Sequence, residues 1–135
     1  MEDELRTTVE TYPNLSNLRV GAQSHEGRPI YVLELTAKDS TRDKVNFLVT
    51  GTHHAREWIS TEVPMAFIKH LTEGYGQDAL ITELLDTSVI VVVPMVNPDG
   101  GVYSRTKKTM WRKNRRKPEG KWMTGVDNNR NYPYH

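Results

Sequence analysis

The sequence predicts an α/β fold: a mixed sheet that begins with an N-terminal hairpin and carries flanking helices. Three observations point to it. Leu18 to Ala22 and Pro29 to Leu35 alternate apolar and polar residues around Ser24-His25-Glu26-Gly27-Arg28, the pattern of two strands joined by a turn. Lys44 to Thr50 (KVNFLVT) and Ser88 to Met95 (SVIVVVPM) are short apolar runs of strand length. Between these runs, Val63, Ala66, Phe67 and Leu71 recur at helical spacing. Strands that alternate with helices build a sheet that is at least partly parallel.

Lys44 to Thr50 is expected to be a buried strand that runs into a turn at Gly51. A helix is expected from Ser60 or Thr61 to Gly74. Pro64 would damage a helix interior, but with Thr61 as N-cap it falls in the first turn, where its missing N–H costs little. Asp78 to Leu85 reads as a second helix, and Ser88 to Met95 as a β-branched core strand. Asn97-Pro98-Asp99-Gly100-Gly101 carries turn chemistry. Tyr103 to Met123 is polar and basic and is assigned no regular structure. No repeat, low-complexity tract or linker divides the chain, so residues 1–135 are one small domain or a part of one.

The composition narrows the function classes. The chain has no Cys, which excludes disulfides and thiolate metal ligands. Met1-Glu2-Asp3-Glu4 is acidic and lacks the basic and apolar blocks of a signal peptide. The best apolar run, Val89 to Met95, is strand-sized and too short to span a bilayer. Net charge is +1, yet Arg105 to Arg130 holds ten Lys or Arg against Glu119 and Asp127, a local balance of +8. Such a field attracts an anionic group.

The most informative segment is Gly51-Thr52-His53-His54-Ala55-Arg56-Glu57-Trp58, placed where a core strand ends and a helix begins. Ligand sites in open α/β sheets gather outside the carboxyl ends of strands. His54 and Glu57 are three apart, so one turn of helix can aim both at a common point. An imidazole nitrogen and a carboxylate oxygen are both suitable zinc donors, and a catalytic zinc needs three protein ligands with one position left open. His53 competes at a spacing of four from Glu57. Consecutive side chains at a strand end point to opposite sides, so the two histidines are not expected to share a metal.

The run Gly51 to Ser60 (GTHHAREWIS) closely resembles the metal-binding segment of zinc carboxypeptidases of the carboxypeptidase A and B type. Further blocks resemble that family in the same order: Glu26-Gly27-Arg28-Pro29-Ile30, Val96-Asn97-Pro98-Asp99-Gly100, Met110-Trp111-Arg112-Lys113-Asn114-Arg115 and Gly125-Val126-Asp127-Asn128-Asn129-Arg130-Asn131. The resemblance runs from about Tyr12 to the last residue and covers the first half of the family's catalytic domain. It implies an incomplete half of the zinc carboxypeptidase fold, with Zn2+ as cofactor and the C-termini of peptides or proteins as partners.

Residue by residue, the resemblance implies that His54 and Glu57 are zinc ligands. Asp127 corresponds to the carboxylate that accepts the other ring N–H of the ligand histidine, which fixes its tautomer. Arg112 corresponds to the arginine that steadies the developing oxyanion. Asn129 and Arg130 correspond to the pair that grips the substrate's terminal carboxylate, for which a planar guanidinium fork is suited. Arg56 corresponds to an arginine of an outer subsite. The second histidine ligand, the general-base glutamate, the tyrosine that closes over substrate and the specificity residue all lie downstream in the family. The chain alone is therefore expected to be inactive or nearly so. Of the other histidines, His70 is placed on the polar side of its helix and His135 is not expected to substitute as a ligand.

Trp58 is expected to pack against the sheet. The remaining basic residues around Trp111 and Trp122 read as a solvated loop, and no nucleic-acid partner is expected. A truncated sheet would leave a strand edge and apolar surface open, which predicts self-association. Relatives are often secreted as proenzymes, which suggests an extracellular setting. The competing readings are a zinc deacylase or peptidoglycan peptidase, and a non-catalytic binder of peptide C-terminal carboxylates.

Overall fold

The computed structural model describes residues 1–117, 119–120 and 124–133. In chain order the elements are α1 (Glu2–Thr11), β1 (Ser16–Gln23), β2 (Pro29–Leu35), β3 (Val45–Thr50), α2 (Ile59–Gly74), α3 (Ala79–Thr87), β4 (Ser88–Val93) and α4 (Pro98–Thr106), followed by a 3-10 turn at Asn128–Arg130. The sheet order is β1-β2-β4-β3. β1 pairs with β2 and β2 with β4 antiparallel, while β3 and β4 run parallel. The mixed sheet and its opening hairpin are as the alternation predicts.

The core lies between the sheet and helices α1, α2 and α3. Leu33, Leu35, Ile90 and Val92 from the strands meet Leu5, Ile68, Leu71 and Leu85 from the helices, all buried. β4 alternates buried and half-buried positions along its length, so Ile90 and Val92 face this core while Val89, Val91 and Val93 face the other side. Asp78 caps α3 by accepting from the N–H groups of Leu80 and Ile81 at 2.8 and 3.2 Å.

Several local expectations are corrected. The run at Lys44 to Thr50 does form a strand, but β3 is exposed along nearly all of it, with Phe47 48% and Leu48 68% accessible. It is the last strand of the sheet order, so its apolar side chains record a hydrophobic sequence without a layer over them. Helix α2 starts at Ile59 with Trp58 as N-cap, which makes Pro64 its sixth residue rather than a first-turn one. Pro64 cannot donate to the carbonyl of Ser60 there. The buried stripe of α2 is Thr61, Pro64, Ile68, Leu71 and Thr72, whereas Val63 and Ala66 face outward. The helical period was legible, but the face that packs is rotated from the one chosen by hydrophobicity alone.

Asn97 to Gly101 is the start of a helix rather than a free turn. Asn97 is the N-cap of α4, its Oδ1 accepting from the Gly100 N–H at 3.0 Å, and Pro98 sits at the first helical position. α4 also takes in Tyr103 to Thr106, which the sequence left without regular structure. At the other end, α1 had no signal beyond Leu5 and Val9, spaced four apart. Its acidic first turn (Glu2, Asp3, Glu4) suits the positive end of a helix dipole, and Leu5 is fully buried.

Candidate metal centre

The turn after β3 is shaped by two unusual backbone positions. A Cβ on Gly51 would collide with the carbonyls of Ser60 and Pro94, so only glycine lets the end of β3 pass this close to the start of α2. Thr52 is the only non-glycine described with positive φ, at 51°. A β-branched residue in that region is strained, of order 1–3 kcal/mol. Thr52 is held there, buried, by its Oγ1 against Thr61 Oγ1 at 2.5 Å and its N–H to Ser60 Oγ at 3.1 Å. The strain falls immediately before the two histidines.

The main chain of the turn is then clamped from three directions. Asn97 Nδ2 donates to the His53 carbonyl at 3.1 Å, and Ser104 Oγ donates to the Ala55 carbonyl at 2.7 Å. The Ala55 N–H donates to the Arg112 carbonyl at 2.9 Å. Asn97 and Ser104 are both buried and sit on or next to α4, so this helix is a backing plate for the turn. Trp58 also belongs to that contact: its Nε1–H donates to Ser104 Oγ at 2.7 Å, so its polar edge is held by α4.

These constraints point the His54 ring into a cluster with Glu57, Asp127 and Arg112. His54 Nδ1 lies 2.9 Å from Glu57 Oε1, and His54 Nε2 lies 3.1 Å from Asp127 Oδ1. Arg112 reaches both carboxylates, through Nε to Asp127 Oδ2 at 3.0 Å and through its terminal nitrogen to Glu57 Oε1 at 3.5 Å. Asp127 Oδ1 also accepts the Asn129 N–H at 3.0 Å. Burial works to raise the Asp127 carboxyl, but the bond and charge of Arg112, the Asn129 N–H and nearby His54 hold it below the ordinary carboxylate value.

A neutral imidazole carries one N–H and one lone pair. In His54 both ring nitrogens face carboxylate oxygens, so in a neutral ring one nitrogen presents a lone pair to another lone pair unless a further proton or a metal cation lies between. Donation from Nε2 to Asp127 leaves Nδ1 and Glu57 Oε1 facing each other across 2.9 Å. Two zinc ligands at roughly 2.0–2.1 Å from a tetrahedral ion stand about 3.3 Å apart, close to this separation. The donor pair thus fits two positions of a zinc site. Among the described residues no group of three or more His, Asp or Glu side chains is arranged to hold a metal.

A small open cavity of about 190 Å³ adjoins the pair, lined among others by His53, His54, Glu57 and Asn129. His53 does not share the His54 cluster; its Nε2 hydrogen-bonds the Tyr132 hydroxyl at 2.6 Å. Burial, and then the neighbouring His54, lower its pKa against the opposing pull of Asp127 and Glu57.

The whole chain, residues 1–135, matches the zinc carboxypeptidase family. The chain belongs to the zinc carboxypeptidases. It is 39% identical to carboxypeptidase A1 of Sus scrofa over 131 residues, which is 96% of this chain and 30% of that protein. It is 43% identical to metallocarboxypeptidase A of Arthroderma otae over 112 residues, 83% of this chain and 26% of the relative. Among solved structures, thrombin activatable fibrinolysis inhibitor superposes with a TM-score of 0.90 at 35% identity, covering 96% of this chain and 32% of that one. This zinc carboxypeptidase chain therefore spans between about a quarter and a third of the length of these relatives.

Of the residues singled out in the sequence, His54, Glu57, Asp127 and Arg112 are brought together, and Asn129 lines the cavity beside them. Arg130 is exposed on the 3-10 turn, its guanidinium donating to the Asn129 carbonyl at 2.9 Å. Arg56 is exposed and takes no part in the cluster. His70 is exposed on α2, and His135, Trp122 and Lys121 lie outside the described residues. Sequence reasoning missed Thr52, Asn97 and Ser104, which shape the turn. An amide three residues before a Gly-Gly pair, with Pro following it, was a usable N-cap signal.

Proposed function

We propose that this chain is the zinc-holding, carboxylate-binding portion of a metallocarboxypeptidase that releases C-terminal amino acids from peptides. The observation that carries the reading is His54 set between two carboxylates with Arg112 bridging both. His54 Nδ1 and Glu57 would hold the metal, with Asp127 fixing the His54 tautomer through Nε2 and increasing its donor strength. Bound zinc supplies Lewis-acid polarisation of the scissile carbonyl and acidifies a bound water.

Part of the remaining chemistry belongs to the chain's own side chains. Arg112, held through Nε by Asp127, keeps a guanidinium beside the metal ligands, where negative charge on a carbonyl oxygen grows during attack. Asn129 and Arg130 bind the terminal carboxylate of a peptide, which restricts cleavage to chain ends. Arg56, exposed on the outer side of the turn, contacts substrate further from the scissile bond. The chain alone is inactive or nearly so, because two ligands without a positioned base do not assemble a catalyst. It retains the parts needed to bind a C-terminal carboxylate, so a non-catalytic binding role is the second reading.

Equilibrium dialysis tests the centre directly: the parent chain should retain zinc, and His54→Ala and Glu57→Ala should not. Retention unchanged in both variants would refute the assignment. Hydrolysis of a blocked dipeptide by the zinc-loaded chain should be absent, and chelator-sensitive turnover would refute the inactivity.

A further inference from the structure

Beyond Asn128 the 3-10 segment is tied to the rest of the molecule by little. The Asn129 N–H goes to Asp127, the Arg130 N–H to the Asp127 carbonyl at 3.0 Å, and the Asn131 N–H to the Asn128 carbonyl at 3.3 Å. All of these are local. Before it, Asn114 anchors the strand-like approach, taking the Val126 N–H on its Oδ1 at 2.8 Å and giving its Nδ2 to Asn128 Oδ1 at 3.0 Å. Past that anchor, the one long-range hydrogen bond among the described residues is Tyr132 hydroxyl to His53 Nε2, at 2.6 Å across 79 residues of sequence. The two rings lie 5.8 Å apart at a tilt of 49°, so they meet through their polar tips rather than by stacking.

We infer that His53 and Tyr132 form a clasp that positions the segment of Asn129 and Arg130, with Asn129 lining the cavity beside the His54–Glu57 pair. The clasp joins the segment's far end to the metal turn, one residue from His54. The turn end is rigid: the His53 carbonyl is held by buried Asn97 and the preceding Thr52 is locked against Thr61. The clasp therefore transmits the geometry of the turn to a segment that carries two exposed side chains and has no apolar burial of its own. It also gives the histidine next to the ligand a role that is not metal binding, since its Nε2 is occupied by the hydroxyl. Both residues act through others and are positioning residues. The inference rests on the reading of Asn129 and Arg130 as carboxylate binders only for its purpose; the mechanical link is testable separately.

The test is nuclear magnetic resonance on the full chain. Tyr132→Phe removes one oxygen and keeps the ring. Backbone order parameters at Asn129, Arg130 and Asn131 should fall from about 0.85 toward 0.6 in this variant, while those of β2 and β4 stay unchanged. His53→Gln, whose side-chain amide can still pair with the hydroxyl, should restore order that His53→Leu loses. Upon zinc addition to the parent, the ring nitrogen resonances of His54 should move and those of His53 should not. Unchanged order parameters in Tyr132→Phe, or a zinc-bound shift on His53, would overturn the clasp. A parent chain in which neither histidine responds to zinc would overturn the metal reading instead, and the relaxation comparison would still decide the clasp.

Discussion

Asp127 does more than one job at the centre of the site. One oxygen takes His54 Nε2 and the Asn129 N–H, and the other takes Arg112. On the proposed reading, its carboxylate accepts the Nε2 proton and leaves the Nδ1 lone pair directed toward Glu57 for a metal. Asp127→Asn keeps the shape but can reverse the donor and acceptor roles around the ring. Zinc affinity should drop about 10–100-fold in that variant, measured by competition with a chromophoric chelator, with the fold intact by circular dichroism. Equal affinity in parent and variant would show that the carboxylate does not orient the ligand. Thr52 belongs to the same scale. Its strained backbone is legible only in three dimensions, because nothing in Gly-Thr-His-His specifies a positive φ at the threonine.

Between elements, the decisive contact joins the hairpin turn to α4. Asp99 is almost fully buried, and its carboxylate accepts Ser24 Oγ at 2.6 Å, an Arg28 guanidinium N–H at 2.7 Å and the Glu26 N–H at 3.0 Å. Arg28 reaches Glu26 as well, and Glu26 lies 3.5 Å from Arg115, whose guanidinium stacks on Tyr103 of α4 at 3.8 Å. The first hairpin, α4 and the loop that carries Arg112 are thereby one framework. Burial raises the Asp99 carboxyl, but Ser24, Arg28 and the Glu26 N–H more than offset it and leave its pKa below the ordinary value. A carboxyl lowered in the folded state stabilises in full above its unfolded value, and the gain disappears as pH falls through the lowered one. Asp99→Asn should therefore cost about 1.5–3 kcal/mol at pH 7, where the charged hydrogen bonds are lost. The gap to the parent should narrow as the pH falls below about 3.9. Urea unfolding at a series of pH values reads this out, and a gap that widens in acid would contradict the sign.

At the scale of the whole molecule, β3 is the exposed apolar edge of the described sheet. It ends the sheet order, and Val45, Phe47 and Leu48 are exposed on its two faces. An edge strand of that kind is a template for pairing. Ile59 and Val63 of α2 are exposed as well, which adds apolar surface. The chain should self-associate with rising concentration in sedimentation velocity, and Leu48→Lys should shift it toward monomer. A clean monomer for the parent at high concentration would show that the edge is protected by other means.

Asp127 and Arg112 were implied beside His54 only by the resemblance to the zinc carboxypeptidases. Sequence alone determined the kind of fold, the pairing of the first hairpin, the β-branched central strand and the nearness of Glu57 to His54. Those follow from short-range rules: alternation in strands, helical period, and a spacing of three that puts His54 and Glu57 on one turn. Which face of α2 packs, whether β3 is covered, and that Asn97 begins a helix were settled only by the tertiary structure. Each depends on what lies across from the residue, and hydrophobicity along a chain carries no record of the neighbour. The same holds for His53 and Tyr132: each is unremarkable in its own segment, and only the fold brings an imidazole and a phenol that are 79 positions apart to 2.6 Å.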